Sequence, residues 1–208
     1  MASFDLYSIG HSNAPAERFL VLLQKAGVNM IADVRSVPAS RRFPWFSKHG
    51  LSARLAAAGI GYQAMGDALG GRPRDDSLYR HGVADYEAMA MQPEFRGGID
   101  RLIALVARAH VCLMCAEREP LDCHRCLLVA RRLAERGLVV GHILHDGSIE
   151  PHAATEQRLL KLDDAAGGAC DLFVTGHRER LAAAYRRRAH AIAFRRKGPA
   201  SHRAVENG

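Results

Sequence analysis

Nowhere does the sequence carry a run approaching the roughly 20 apolar residues that a helix needs to cross a bilayer, so no spanning segment is expected. Its start, MASFDLYSIGHS, lacks the basic-then-apolar layout of a secretory signal, and a cytoplasmic location is the default expectation. Aromatic residues make up only 6% of the chain, which suits helices packed on a sheet better than an all-β sandwich. Cysteine is scarce and unevenly placed. Of five, four crowd between Cys112 and Cys126, whereas a disulfide framework disperses its pairs to staple distant loops. Reduced thiols are therefore expected.

What is present is enough for one hydrophobic core: 208 residues, 48% of them hydrophobic. The formal charge of +7 suggests an anionic partner, but its distribution is uneven. From Arg178 to Arg203 there are nine Lys/Arg against one acid, Glu179, so the excess belongs largely to the tail. The expected division is an α/β domain over 1–162 and a basic C-terminal extension over 163–208, partly helical or disordered. Arg186-Arg187-Arg188 and Arg195-Arg196-Lys197 could meet nucleic-acid phosphate, or could form a solvated extension, since charge runs carry no readout of base or shape.

Hydrophobic periodicity alternates along the chain. Strands are predicted at Phe4 to Ile9, Val28 to Val34, Ile60 to Gln63, Val111 to Met114 and Val139 to Leu144. Between them come helices from about Pro15 to Lys25, Leu51 to Ala58, Val83 to Met91, Phe95 to Ala109 and Cys123 to Arg136, with Gly27, Gly59 and Gly137 as stops. Such alternation predicts a single three-layer α/β domain, a mostly parallel sheet with helices on both faces. Ligands of such folds bind beyond the carboxyl ends of the strands. Gly10-His11-Ser12, Asp33-Val34-Arg35, Cys115-Ala116-Glu117 and His145-Asp146 all fall there.

The stretch VCLMCAEREPLDCHRCL, Val111 to Leu127, holds the richest chemistry. Its helix would begin near Asp122 or Cys123, where exposed N–H groups favour anions and lower a thiol's pKa. Cys123 is thus a candidate thiolate, and His124 a general acid or base with Glu117 or His11 as its partner. The candidate catalytic set is Cys115, Glu117, Cys123, His124 and His11. Arg125, Arg35, Asp33, Ser12 and Arg72 are the candidates for binding an anionic substrate. Asp33 and Arg35, two apart on a strand, could equally form an ion pair that orders the following loop, or Arg35 could join Arg41 and Arg42 on an anion. Cys112 and Cys126 lie within apolar patterns and are expected in the core. The Cys-x5-Arg spacing of cysteine phosphatases is met only formally, by Cys112 and Arg118, where the cysteine lies within the apolar strand with no glycine in the loop, so homology to those enzymes is not expected.

No cofactor is predicted. Cys112 and Cys115 would point to opposite faces of a strand, which argues against a paired zinc knuckle. A mixed metal site using Cys115, Cys123 or His124 with His11 is the remaining metal alternative. Gly70-Gly71 reads as a sharp turn rather than a phosphate cradle, and Asp146-Gly147 as an ordinary turn.

Taken together, SIGHS (Ser8 to Ser12), Asp33-Val34-Arg35-Ser36 with Pro38, LGGR (Leu69 to Arg72), LMCAEREPLDCHR (Leu113 to Arg125) and VGHI (Val140 to Ile143) resemble the domain-of-unknown-function 488 family over roughly Tyr7 to Leu162. The resemblance implies a fold and a residue list without a reaction, and it says nothing of the basic tail. The expected function is a small enzyme using thiol and histidine acid-base chemistry on an anionic, phosphate-containing substrate, with a nucleotide or nucleic acid preferred for the basic balance. The alternatives are a non-catalytic nucleic-acid-binding module and a metal-binding protein with Cys/His ligands.

Overall fold

Five parallel strands and one antiparallel edge strand form the central sheet. A computed structural model describes residues 3–168 and 176–196. The chain runs β1 (Leu6–Gly10), α1 (Ala16–Lys25), β2 (Met30–Asp33), α2 (Lys48–Ala57), β3 (Gly61–Ala64), α3 (Gly66–Leu69), β4 (Tyr79–Arg80), β5 (Val83–Ala84), α4 (Tyr86–Ala90), α5 (Pro93–Val106) and β6 (Val111–Cys115). A wide-turn π helix (Arg125–Ala130) then leads directly into α6 (Arg131–Glu135), followed by β7 (Val140–Ile143), β8 (Ile149–Pro151), α7 (His152–Ala165) and α8 (His177–Ile192). No helix among the described residues is long and apolar enough to cross a membrane.

The sheet is buried on both faces, as near-continuous apolar strands require. β6 is its centre, and all five of its residues are buried. Cys112 and Met114 face a core built with Phe19, Leu22 and Leu23 of α1 and Leu51 and Leu55 of α2. Leu113 and Cys115 face the opposite core, with Phe95, Ile99, Leu102 and Leu105 of α5 and Cys126 to Ala130 of the π helix. The period-2 alternation of the strand thus separates Cys112 from Cys115, as its sequence implies. In α5 the buried residues recur at helical spacing after Pro93, which fits the first turn because its missing N–H has no partner to lose there.

The strand order, β3-β2-β6-β1-β7-β8, opens the crevice. β1 and β6 are neighbours, yet the chain leaves β1 through α1 for β2, on one side, and leaves β6 through the π helix and α6 for β7, on the other. Their connections diverge over opposite faces of the sheet, which leaves a cleft at the two carboxyl ends.

Some elements were not evident in the sequence. The helix expected from Val83 begins only at Tyr86, because Val83-Ala84 pairs with Tyr79-Arg80 in a small antiparallel ladder. Asp85 caps that helix through the N–H groups of Glu87 and Ala88. α7 runs through residue 162, and α8 packs on α7 with Ala183, Ala184 and Tyr185 buried. Arg180 and Arg187 pair with Asp164 and Asp163 of α7. The described part of the basic segment is therefore a packed layer whose charge is partly answered by acids, while Lys197 and Arg203 lie outside the described residues.

Candidate active site

A cavity of about 360 Å3 opens between the loops that follow β1, β2 and β6. His11, Arg35, Cys115, Glu117 and His124 line it, together with Ser36, Ser40, Arg72, Tyr86 and Phe194. At its floor the loop after β6 folds back on itself. Glu119 and Pro120 start a short 3₁₀ turn, with Glu119 accepting from the Leu121 N–H, and this returns Cys123 and His124 to the end of the strand they left.

Four of the sequence candidates meet there. Cys115 Sγ and Cys123 Sγ lie 2.9 and 3.0 Å from the same oxygen, Glu117 Oε2. Both sulfurs also approach His124 Nδ1, at 3.7 and 3.9 Å. On the far side of that ring, Nε2 is 2.9 Å from the Val34 carbonyl. A carbonyl only accepts, so Nε2 carries a proton and Nδ1 faces the sulfurs. Burial acts to lower the His124 pKa, but the Cys123 hydrogen bond and charge outweigh it and hold it above the ordinary histidine range. The two cysteines and His124 are buried, whereas the outer edge of Glu117 is open to the cavity.

Three acids crowded on one imidazole cannot all ionise freely. Burial and the neighbouring acids hold Cys115 and Glu117 above their ordinary ranges. Burial also acts to raise Cys123, but the Cys115 hydrogen bond and the Arg125 charge outweigh it and draw that thiol below its ordinary range. The Arg125 backbone N–H, 3.4 Å from Cys123 Sγ, favours charge on the same sulfur.

His11 sits at the cavity wall with both ring nitrogens engaged. Arg35 can only donate, so His11 Nε2 accepts from Arg35 Nη1 at 3.3 Å, and His11 Nδ1–H donates to Ser12 O at 2.9 Å. The ring stacks on Phe46 at 4.1 Å between centroids. Burial, then the Arg35 charge, lower its pKa to about 4, so it is neutral at pH 7. Asp33 and Arg35 form a buried bidentate pair, with Nε to Oδ1 at 2.9 Å and Nη2 to Oδ2 at 2.6 Å. Tyr62 donates to Asp33 Oδ2 and Arg35 donates to the Phe46 carbonyl. This pair fastens the loop after β2 to the 3₁₀ turn at Pro44–Phe46.

Arg125 is fully buried, and its guanidinium donates to the Glu117 and Arg118 carbonyls at 2.6 and 3.1 Å. It holds the loop's shape from within. The loop comes so close to β1 that a Cβ on Gly10 would stand 1.7 Å from the Glu117 carbonyl oxygen. A Cβ on Gly71 would stand 2.7 Å from His124 Cγ. Neither glycine has a positive φ, so what each supplies is room for a neighbour. Ser12, at φ 47°, continues the β1 to β6 pairing by donating its N–H to Ala116 O and does not line the cavity. Asp146 accepts from the Ser148 N–H and hydroxyl in a turn, and His145 donates to the Gly10 carbonyl.

Arg72 stands at the rim. Its guanidinium lies over the Phe194 ring at 4.7 Å, and no carboxylate pairs with it among the described residues. Phe194 and Ile192 bring the end of α8 to the cavity, and Arg188 holds that helix to Leu121 O and to the Asp122 carboxylate. The sequence offered no sign that the basic segment supplies a wall of the site.

It also gave little sign of a second buried polar group on the far side of the π helix, although VGHI contains one of its members. Tyr185 donates to Glu156 at 3.0 Å, so it accepts from His152 Nε2–H. That leaves His152 Nδ1 to accept from His142 Nε2–H at 2.9 Å, and His142 Nδ1 to accept from the Ser8 hydroxyl at 2.7 Å. Cys126 lies beside it, 3.9 Å from His142 Nε2. Every member of this chain is satisfied, and it joins β1, β7, α7 and α8.

No curated protein and no solved structure matches the chain. A family model described as "Domain of unknown function DUF488" matches residues 15–132, which takes in β2, the Gly70-Gly71 turn and the whole Cys115 to Arg125 loop. With more than half of its length matched, including the loop that forms the floor of the cavity, the chain belongs to the DUF488 family.

Proposed function

We propose that the cavity is the active site of a small enzyme acting on an anionic substrate by hydrolysis or group transfer. The Cys115, Glu117, Cys123 and His124 cluster supplies the reacting group, and Arg72 supplies the counter-charge. The observation that carries this reading is the convergence of four reactive side chains at the floor of an open cavity, with one unpaired arginine at its rim. Arg35 and Arg125, the other arginines near the floor, are engaged with Asp33 and with backbone carbonyls. They serve as scaffold, and the anion contact falls to Arg72. A cavity of about 360 Å3 suits a small molecule up to the size of a mononucleotide, not a duplex. The pairing of Arg180, Arg187 and Arg188 with acids weighs against a non-catalytic nucleic-acid module, which would need those charges free.

The test is turnover of a panel of phosphomonoesters, phosphodiesters and carboxylate esters by wild type, Arg72→Ala and Glu117→Gln. Loss of Arg72 is expected to raise KM about tenfold with little change in kcat, since it removes binding common to substrate and transition state. Loss of the Glu117 carboxylate is expected to lower kcat by about 100-fold or more. Turnover indifferent to Glu117→Gln would place the chemistry elsewhere and sink the reading.

A further inference from the structure

We infer that Cys115, Glu117, Cys123 and His124 hold one divalent cation of the zinc class at the floor of the cavity. The inference deepens the proposed function by giving its reacting centre a chemical identity, and it rests on the same cluster. The donor atoms of these four side chains all lie within 4.8 Å of one another. In a tetrahedral zinc site with Zn–S of about 2.3 Å and Zn–N of about 2.0 Å, neighbouring sulfur and nitrogen donors stand about 3.6 Å apart. The two sulfurs stand 3.7 and 3.9 Å from His124 Nδ1. Their contacts with Glu117 Oε2, at 2.9 and 3.0 Å, need to lengthen by only about half an ångström, and the outer edge of Glu117 is open to the cavity.

The surroundings agree with the donor set. His124 turns its other nitrogen to the Val34 carbonyl, the outer partner that metal-bound histidines use to fix ring orientation. The Arg125 N–H points at Cys123 Sγ and stabilises a thiolate there. Charge also balances: two thiolates and a carboxylate carry three negative charges, and a dication with the fully buried Arg125 guanidinium carries three positive ones. Two sulfurs and an imidazole select zinc over magnesium or calcium, which prefer oxygen. Cys126, His142 and His152 also stand within reach of one another, but their ring nitrogens complete a directional hydrogen-bond chain from Ser8 to Glu156, and no cation is assigned to them. Of the four ligands Glu117 faces the cavity, so an anionic substrate beneath Arg72 would reach the cation from that side, either displacing the Glu117 carboxylate or adding as a fifth ligand.

The experiment uses the full chain produced in zinc-supplemented medium, freed of loose ions and submitted to elemental analysis. One zinc per chain is expected. After removal by chelator, titration with Co2+ should give the sulfur-to-cobalt charge-transfer band and the intense visible bands of a tetrahedral thiolate site. Cys115→Ser and Cys123→Ser should lose both the bands and the bound metal. Because those buried positions can fail to fold, Glu117→Gln provides the second arm. It should keep the far-ultraviolet spectrum and weaken metal binding at least about tenfold, since even outer-shell partners are worth that much. Absence of stoichiometric metal from wild type, or cobalt uptake without the sulfur band, overturns the inference. So does metal that survives Cys115→Ser but leaves with Cys126→Ala, which would place it in the other cluster. Turnover by the metal-stripped chain would remove the cation while leaving the proposed enzyme in place. A metal-loaded chain that neither binds inorganic phosphate nor turns over the panel would do the reverse.

Discussion

A methyl group on Gly71 would meet His124 at its Cγ, Nδ1 and Cβ, the near end of a buried ring that is already tied to Val34. Gly71→Ala is therefore expected to push His124 away from the two sulfurs. Overpacking of this kind costs about 1–3 kcal/mol in stability, and titration of metal or of inorganic phosphate should show a larger loss than urea unfolding does. Equal losses would mean that the glycine serves the fold alone. The LGGR motif was visible in the sequence, but its role was not, because a glycine needed for a neighbour's room looks like one needed for a turn. Asp33 and Arg35 were more legible, since strand alternation puts both on one side. For Arg125 the sequence gave the residue and not its direction: a guanidinium beside an anion site and one holding a loop from within have the same letters.

Among the elements, the π helix at Arg125–Ala130 was the hardest to foresee. Its six residues are all buried, and their apolar pattern reads as ordinary α-helix, while the wider turn shows only in the backbone. Such turns re-aim side chains by inserting a residue, and here Cys123 and His124 lead into it facing one way while Cys126 faces the Ser8 chain. α7 and α8 were weakly marked because their outer faces are rich in charge and alanine, which leaves a shallow contrast between sides. α8 owes part of its attachment to one hydroxyl. Tyr185→Phe would leave His152 Nε2–H facing Glu156 across 3.7 Å, and is expected to cost about 1–3 kcal/mol for the unsatisfied donor. Hydrogen exchange resolved by segment should show faster opening of 177–192 than of the sheet.

For the molecule as a whole, acid is the condition that separates its layers. Burial, then the Arg131 charge, lower the pKa of His152 from 6.5 to about 4, and burial with His152 beside it holds His142 well below the ordinary histidine range. A histidine whose folded pKa is depressed contributes stability that is complete above pH 6.5. That stability is lost as pH falls from 6.5 towards 4, because the unfolded chain binds the proton first. At about 1.4 kcal/mol per pH unit, His152 alone is worth on the order of 3 kcal/mol across that window. Urea unfolding at steps between pH 7 and 4 should show the fall, and His152→Gln should flatten it; an unchanged slope would discount the residue. The fold class was legible in the alternation of strands and helices, and so was the gathering of Cys115, Glu117, Cys123 and His124 at a strand end. The wall at Ile192 and Phe194 was not, because nothing in a charged tail tells which surface it will cover.

That wall sets an order of events in the birth of the protein. The loop that forms the cavity floor is complete at Arg125, but Phe194 leaves the ribosome about 70 residues later, a delay of several seconds at ordinary synthesis rates of about 5–20 residues per second. For that interval the cavity above Cys115 and Glu117 lacks the wall that Ile192 and Phe194 supply.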